Sequence, residues 1–98
     1  MAYTIEYTAE AVKDLKWLKK NEQVLVLLAI EEQLKFEPTM ETRNRKRLRP
    51  NDMAEWELRI GVFRVLYDVD DAVKIVEIQR VGTKPGNQFV FRGQEEDL

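Results

Sequence analysis

Apolar and polar residues alternate at the start of the chain, and the pattern then becomes helical. Residues 2–8 place Tyr3, Ile5 and Tyr7 on one side, which is the period of a β-strand. Thr8 carries a side-chain oxygen of the kind that caps helices at their first turn. The sequence therefore predicts a strand that passes directly into a helix.

Two helices are predicted before residue 37, because apolar residues recur there every three or four positions. The first helix begins at Ala9, and the second runs from about Gln23 to Phe36, with Asn21 as the break and Pro38 as the stop. The apolar stripes are Ala11, Val12, Leu15 and Leu18 in the first helix and Val24, Leu27, Leu28, Ile30 and Leu34 in the second. A short link predicts two antiparallel helices with one shared apolar face.

The second half of the chain has an apolar period of two, which predicts antiparallel strands. A polar loop is expected over 38–54, strands over 55–60, 62–69 and 73–81, a short edge strand over 88–91, and a tail over 93–98. This order predicts an α+β fold: a strand, a helical hairpin, and then an antiparallel meander of three or four strands with the helices on one face. The other face of the sheet is expected to be uncovered.

The composition fits one small globular unit. Because 44% of the residues are hydrophobic and 35% are charged, the 98 residues can bury one core, and we expect 1–98 to be a single domain. No apolar run approaches the length of a membrane span, and the amino terminus does not resemble a secretion signal. We therefore expect a cytoplasmic protein without a membrane partner.

The residue types limit the chemistry. The chain has no cysteine and no histidine, which excludes disulfides, thiolate zinc sites and imidazole acid–base catalysis. Catalysis would have to use Arg, Lys, Glu, Asp or Tyr side chains. Neither metal-ligand spacing nor a phosphate-binding glycine motif is present, so we expect no metal and no cofactor.

The net charge of −2 conceals one strongly basic segment. Five cations stand within seven residues without an acid: Arg43, Arg45, Lys46, Arg47 and Arg49. Guanidinium groups suit bidentate contacts to phosphate, which favours a nucleic-acid backbone as partner. A solvated basic loop is the alternative interpretation.

Charged residues are also predicted to meet on the open face of the hairpin at residues 55–69. If the apolar side faces the helices, then Glu55, Glu57, Arg59 and Arg64 all project from the other side. This cluster is a candidate phosphate-handling site, and the alternative is a set of cross-strand ion pairs on a wet surface. Phe89 and Phe91 could stack on a base or belong to the core.

The hairpin sequence WELRIGVFRVLYDV at 56–69 resembles the corresponding hairpin of the RelE/ParE toxin superfamily. The segment 80–84 (RVGTK) resembles the stretch that follows the last long strand in that superfamily, and the likeness extends over nearly the whole chain. The resemblance implies a toxin of a type II toxin–antitoxin system with a cognate antitoxin as partner. RelE-like members bind the ribosome and cleave mRNA, whereas ParE-like members inhibit DNA gyrase without catalysis. A catalytically decayed RNA- or antitoxin-binding domain is a further alternative.

The resemblance also implies roles for individual residues. Arg64 matches the superfamily arginine that holds the scissile phosphate, and Lys84 lies where RelE-like ribonucleases carry an arginine or histidine. Glu55 and Glu57 occupy the positions of two strand lysines, which is a departure from the best-known RelE enzymes. Either carboxylate could serve as the general base. The expected RNA-binding residues are Arg43, Arg45, Lys46, Arg47, Arg49, Arg59, Phe89 and Phe91.

Overall fold

The computed structural model describes residues 2–98 as two helices and seven strands. In chain order these are β1 (Thr4–Tyr7), α1 (Ala9–Trp17), α2 (Lys20–Leu34), β2 (Arg45–Arg47), β3 (Trp56–Ile60), β4 (Phe63–Asp70), β5 (Ile75–Thr83), β6 (Phe89–Phe91) and β7 (Gln94–Glu96). A 3₁₀ turn at Pro85–Asn87 joins β5 to β6. The predicted α+β class and order of elements are confirmed.

The strands form one sheet in the order β2-β3-β4-β5-β6-β7. Its neighbours are antiparallel, except that β1 lies parallel to the first half of β5, with Thr4 opposite Ile75 and Tyr7 opposite Ile78. Further along the same edge of β5, Thr83 pairs with Val90 of β6. One edge of β5 is therefore shared between two strands from opposite ends of the chain.

The predicted helix cap is confirmed, and the break between the helices lies slightly earlier than predicted. The Thr8 hydroxyl accepts a hydrogen bond from the Ala11 amide at 3.1 Å. The break falls at Leu18 and Lys19 instead of Asn21, because the Glu22 carboxylate accepts the Lys19 amide and starts α2 there. Within residues 2–98, neither helix is long and apolar enough to cross a membrane.

The predicted inner face of α2 is wrong in part. The helix buries Val26, Ile30 and Leu34, whereas Val24 and Leu28 are about half exposed or more. Residues 24–30 are all apolar, so hydrophobic periodicity could not select one side of this helix.

Two segments that were predicted to be irregular contain strands. The basic loop at 38–54 forms the edge strand β2, in which Lys46 lies opposite Glu57. The tail forms β7 through a tight hairpin at Arg92 and Gly93, both of which have positive φ. Neither segment has the apolar alternation by which strands were recognised, since both lie at an edge of the sheet.

The main core lies between the helices and one face of the sheet. Its side chains include Ala11, Leu15, Val26, Ile30 and Leu34 from the helices and Trp56, Leu58, Phe63, Val65, Tyr67, Val76, Ile78 and Val81 from the strands. Burial raises the pKa of the Tyr67 phenol, whose hydroxyl donates to the Pro38 carbonyl at 2.6 Å. The predicted inward face of the hairpin is thus confirmed.

The opposite face of the sheet is partly covered, which corrects the prediction that it is bare. Leu66 is fully buried there with Ala54, Phe89 and Phe91, and Leu48 and Met53 pack against this second cluster. Asn51 shapes the covering loop, because its Oδ1 accepts the amides of Met53 and Ala54. Glu6 and Glu77 remain exposed on this face, where β1 pairs with β5.

A β-bulge in β5 determines which side chains reach this second face. Leu66 pairs with Arg80 but Tyr67 pairs with Ile78, so Gln79 is an extra residue. Ile78 and Val81 therefore both face the helices, and Arg80 points to the other side. Gly82 permits β6 to approach closely, because a Cβ there would lie 2.2 Å from the Val90 carbonyl oxygen.

The buried Asp14 carboxylate joins α1 to the far end of the sheet. It accepts hydrogen bonds from the Val81 amide at 2.9 Å and from the Arg80 guanidinium at 2.8 and 3.2 Å. Arg92 forms a second ion pair with it at 2.9 Å. The hydrogen bonds to Asp14 raise the pKa of Arg80. One carboxylate thus satisfies a strand amide and two arginines.

We predict that Asp14→Ala strongly destabilises the protein. Removing one partner of a buried ion pair costs roughly 3–5 kcal/mol, and here the Arg80 guanidinium and the Val81 amide would both lose their buried acceptor. Urea unfolding measures the free energy change, and Asp52→Ala, which removes an exposed carboxylate, is the matched control. Equal stability of the two variants would contradict the role assigned to Asp14.

Candidate functional site

Glu57 lies at the centre of the candidate site. It is in β3 on the face opposite the helices, between Lys46 of β2 and Leu66 of β4 in the strand register. The residue is only 1% exposed although it carries a carboxylate. Its Oε1 accepts a hydrogen bond from Arg59 Nε at 3.0 Å. A buried acid at this position is charge-compensated by a neighbour in its own strand.

Arg64 borders Glu57 on β4 and is held by the hairpin turn. Its Nη1 donates to the carbonyls of Gly61 and Phe63 at 2.8 and 2.9 Å. Its Nε lies 3.9 Å from Glu57 Oε2, which is too long for a hydrogen bond. Both atoms are buried without a hydrogen-bond partner among the residues described. An unpaired donor therefore faces an unpaired acceptor at this point.

A cavity of about 500 Å³ lies over Glu57, and we call it the cationic cleft. The cations in its wall are Lys46, Arg47, Arg49, Arg59 and Lys84, and the acids are Glu57, Glu96 and Asp97. Lys84 Nζ lies 4.5 Å from the centroid of the Phe89 ring, which places it beside the cleft in a cation–π contact. The cleft thus combines a buried carboxylate with several exposed cations.

The basic segment divides into structural and cleft-lining residues. Arg45 donates to the carbonyls of Met40 and Gln33, so it holds the chain against the last turn of α2. Arg47 forms a cation–π contact with Trp56 and an exposed ion pair with Glu55. Lys46 and Arg49 are exposed and line the cleft, and Arg43 is exposed outside it.

The structure brings together only some of the four charged residues that were predicted to meet on the hairpin. Glu57, Arg59 and Arg64 adjoin one another, but of these only Glu57 and Arg59 line the cleft. Glu55 pairs with Arg47 at the edge and does not line the cleft. Because Glu55 precedes β3, its side chain is not held to the alternation of the strand.

The two phenylalanines are core residues. Phe89 and Phe91 are 5% and 1% exposed, and their rings stack on each other at 5.9 Å. Of the two interpretations of these rings, the structure supports packing, since neither presents a free face for a base. The Arg80 guanidinium covers Phe91 from the other side at 4.3 Å.

A second cavity of about 570 Å³ lies beyond the cleft, near Arg80. Its lining carries four acids, Glu10, Asp52, Glu96 and Asp97, and Arg80 as the cation. Its charge is opposite to that of the cationic cleft, so the two cavities suit different ligands.

Sequence reasoning missed Asp14, Arg80 and Gln88. Asp14 had a detectable signal, because it stands between Ala11 and Leu15 on the buried stripe of α1, where an acid is unexpected. Arg80 and Gln88 had none, since their placement depends on the bulge and on the fold of the tail.

The sequence matches a known family of small toxins. Residues 5–84 match the family model described as the ParE toxin of the type II toxin–antitoxin system parDE. This match covers most of the chain, and the chain therefore belongs to the ParE toxin family, within the RelE/ParE superfamily of type II toxins. No curated protein matches the sequence significantly.

Solved structures of this superfamily share the fold. The RelBE2 toxin–antitoxin complex of Mycobacterium tuberculosis has a chain that is 31% identical, with a TM-score of 0.74 over 85% of this chain and 99% of that one. A chain of the RelE–RelB complex of Pyrococcus horikoshii is 23% identical, with a TM-score of 0.69 over 88% and 99%. A double mutant of the Escherichia coli toxin RelE, in the free state, is 24% identical, with a TM-score of 0.67 over 87% and 86%.

We predict that the Glu57–Arg59 ion pair is stronger than the Arg47–Glu55 pair. Glu57 is buried, whereas both partners of the second pair are more than half exposed. Exposed pairs contribute roughly 0.2–1 kcal/mol, and a buried acid raises the coupling above that range because less solvent screens it. Double-mutant cycles by urea unfolding measure both couplings. Equal values would mean that the Glu57 carboxylate is as well solvated as Glu55.

Proposed function

We propose that this toxin cleaves RNA bound in the cationic cleft. The observation that carries the proposal is the buried Glu57 carboxylate, which lines a cation-rich cavity and whose Oε2 is unbonded beside the fixed guanidinium of Arg64, a residue just outside the lining. A base next to cations is what transesterification of RNA requires.

The charge of the cleft supports a phosphate backbone as ligand. Lys46, Arg49 and Lys84 have no ion-pair partner among residues 2–98, so their charge is available to a polyanion. The neighbouring cavity carries more acids than cations and would repel phosphate. We therefore place the RNA strand over β2, β3 and the Lys84 segment.

The proposed reaction divides the work among three residues. Glu57 Oε2 removes the proton of a ribose 2′-hydroxyl, whose oxygen then forms a bond to the adjacent phosphorus. Arg64 stabilises the charge that develops on the phosphate oxygens. The bond from phosphorus to the 5′-oxygen breaks, and Lys84 protonates that oxygen as it leaves. The products are a 2′,3′-cyclic phosphate and a 5′-hydroxyl.

Access to Glu57 requires one side chain to move. Oε2 is buried, and the other carboxylate oxygen, Oε1, is bonded by Arg59, whose side chain is 44% exposed. A substrate phosphate would compete with Glu57 for the Arg59 guanidinium and draw it outward. Substrate binding would thereby free the Glu57 carboxylate to act as the base. When no RNA is present, the ion pair with Arg59 keeps this carboxylate neutralised.

We further propose ribosome-bound mRNA as the substrate and a cognate antitoxin as the partner. The first follows the resemblance to RelE-like toxins, with translation inhibition as the consequence. The second rests on an exposed apolar patch on α2 at Val24, Leu25 and Leu28, and on the toxin–antitoxin complexes among the similar structures. An amphipathic segment of the antitoxin would cover this patch.

A second candidate is a toxin that binds DNA gyrase without catalysis. It is favoured by the ion pair that neutralises Glu57, and by the match to the ParE family model. In this case the cationic cleft is only a binding surface, and the protein leaves RNA intact.

The test of cleavage uses purified protein in a translation extract. We predict new mRNA 5′ ends with the parent, and a rate about a hundredfold lower with Arg64→Ala, because losing one fixed donor at a developing oxyanion costs on the order of 3 kcal/mol. Glu57→Gln should be similarly slow. Lys16→Ala, which removes an exposed cation from the helical side, is the charge control and should cleave like the parent.

The two candidate functions give different results in this assay. If the parent produces no cleavage but inhibits gyrase supercoiling, the second candidate is correct and the mechanism above is wrong. If Arg64→Ala cleaves as fast as the parent, then Arg64 does not contact the scissile phosphate.

The antitoxin is tested by co-expression with the short open reading frame adjacent to the gene. We predict a complex that survives purification and is lost when Leu25 and Leu28 are both changed to lysine, because charge on the patch prevents burial. Arg43→Ala should not affect the complex. Retention of the antitoxin by the lysine variant would place its binding site elsewhere.

A further inference from the structure

We infer that the acidic C-terminal segment is a built-in competitor of RNA in the cationic cleft. This segment, residues 94–98, is called the acidic strap, and it contains Glu95, Glu96 and Asp97. The inference rests on the proposed function, since it concerns the same cleft. It adds that the strap carboxylates occupy part of the phosphate-binding surface and leave when a polyanion binds.

The strap lies in the wall of both cavities. Glu96 and Asp97 line the cationic cleft, and they also line the acidic cavity near Arg80. The strap therefore borders both cavities. It brings two carboxylates into the region that holds Lys46, Arg49 and Lys84.

One side chain fastens the strap to the cleft. Gln88 Nε2 donates to the Glu96 carbonyl at 2.9 Å and to the Asp97 carboxylate at 3.0 Å. The Glu96 carboxylate lies 3.8 Å from Arg80 Nη1. These contacts are polar and partly exposed, so water or a phosphate can replace them at little cost.

The strap can leave without disturbing the core. Its strand β7 is at the edge of the sheet and pairs only with β6, through three residues. None of its side chains is buried, and the hydrophobic clusters do not include it. The hairpin at Arg92 and Gly93 provides a point at which it can separate. A short edge strand of this kind belongs to the least stable part of a fold.

The electrostatic consequence is a direct competition. The carboxylates of Glu96 and Asp97 lie in the wall of the cavity of about 500 Å³ that RNA phosphates would enter, so the two kinds of anion repel each other beside the same cations. Charges that share one cavity wall are screened less than charges separated by more than the Debye length, which is about 8 Å at physiological salt. Neutralising the strap should thus strengthen RNA binding more than an equal change of charge elsewhere.

The experiment compares two variants with the same net charge. The strap variant carries Glu95→Gln, Glu96→Gln and Asp97→Asn, and the control carries Glu31→Gln, Glu32→Gln and Glu37→Gln on the exposed side of α2 and just beyond it. The probe is a fluorescent single-stranded RNA with 2′-O-methyl groups, which cannot be cleaved. Melting temperature and circular dichroism verify the fold of both variants.

We expect the strap variant to bind this RNA about tenfold more tightly than the parent, because the two carboxylates in the cleft wall, Glu96 and Asp97, are neutralised together with the adjacent Glu95. The control should bind within about twofold of the parent, since its charges lie on the helical side of the molecule and are screened by salt. Equal tightening in both variants, or none in the strap variant, would overturn the inference.

A second measurement separates the strap from the RNA proposal. Inorganic polyphosphate is titrated into the parent while the Gln88 side-chain amide is followed by NMR. We expect its signals to move toward those of a free amide as the strap is displaced. No movement on saturation with polyphosphate would overturn the inference. Displacement of the strap by polyphosphate, together with no RNA binding in any variant, would contradict the proposed function but not the inference that a polyanion displaces the strap.

Discussion

The structure depends on how the backbone hydrogen-bonding groups along one edge of β5 find their partners. β1 pairs with the first half of this edge and β6 with its end, and between them the Val81 amide has no strand to bond. Asp14 fills this gap from α1. A buried backbone donor must find an acceptor, and the carboxylate that supplies it also needs cations, which Arg80 and Arg92 provide. The Val81 amide, which no strand can bond, is thus accommodated by an ionic cluster of Asp14, Arg80 and Arg92.

The same cluster determines where the candidate site lies. The Arg80 guanidinium lies over the Phe91 ring, Phe91 stacks on Phe89, and the Phe89 ring contacts Lys84 in the wall of the cleft. This series of contacts leads from the helical side of the molecule to the opposite sheet face. On the other side of the cleft, Glu57 is held by Arg59 and by the β3–β4 pairing. The two walls are therefore anchored independently.

Local pattern was sufficient to predict the elements that face the main core. Strict alternation in the hairpin identified the inward side chains from Trp56 to Tyr67, and the hydroxyl of Thr8 identified the start of α1. The elements that were not predicted are those whose position depends on partners distant in sequence. β2 and β7 have little apolar content and exist because a neighbouring strand offers hydrogen bonds. Likewise, nothing in residues 24–30 distinguishes the side of α2 that meets the sheet.

The sequence predicted which residues form the candidate site better than it predicted how they are arranged. Alternation placed Glu57, Arg59 and Arg64 on one face, and the structure brings them together. The basic segment was predicted as a unit, but pairing in β2 separates Arg45 from Lys46, because successive side chains point to opposite faces. The burial of Phe89 and Phe91 depends on the bulge at Gln79 and on Gly82, which no short-range pattern reveals.

The pairing of β1 with β5 has a consequence for the kinetics of folding. Thr8 bonds to Gln79 across 71 residues, and the strand before it completes its pairing only when β5 is available. Closing so long a loop costs entropy before any contact compensates, so parallel pairing of distant segments is slow. A nascent chain cannot assemble this sheet until most of it has been synthesised. β1 therefore remains an unpaired strand until residues 75–78, its partners in β5, have been synthesised.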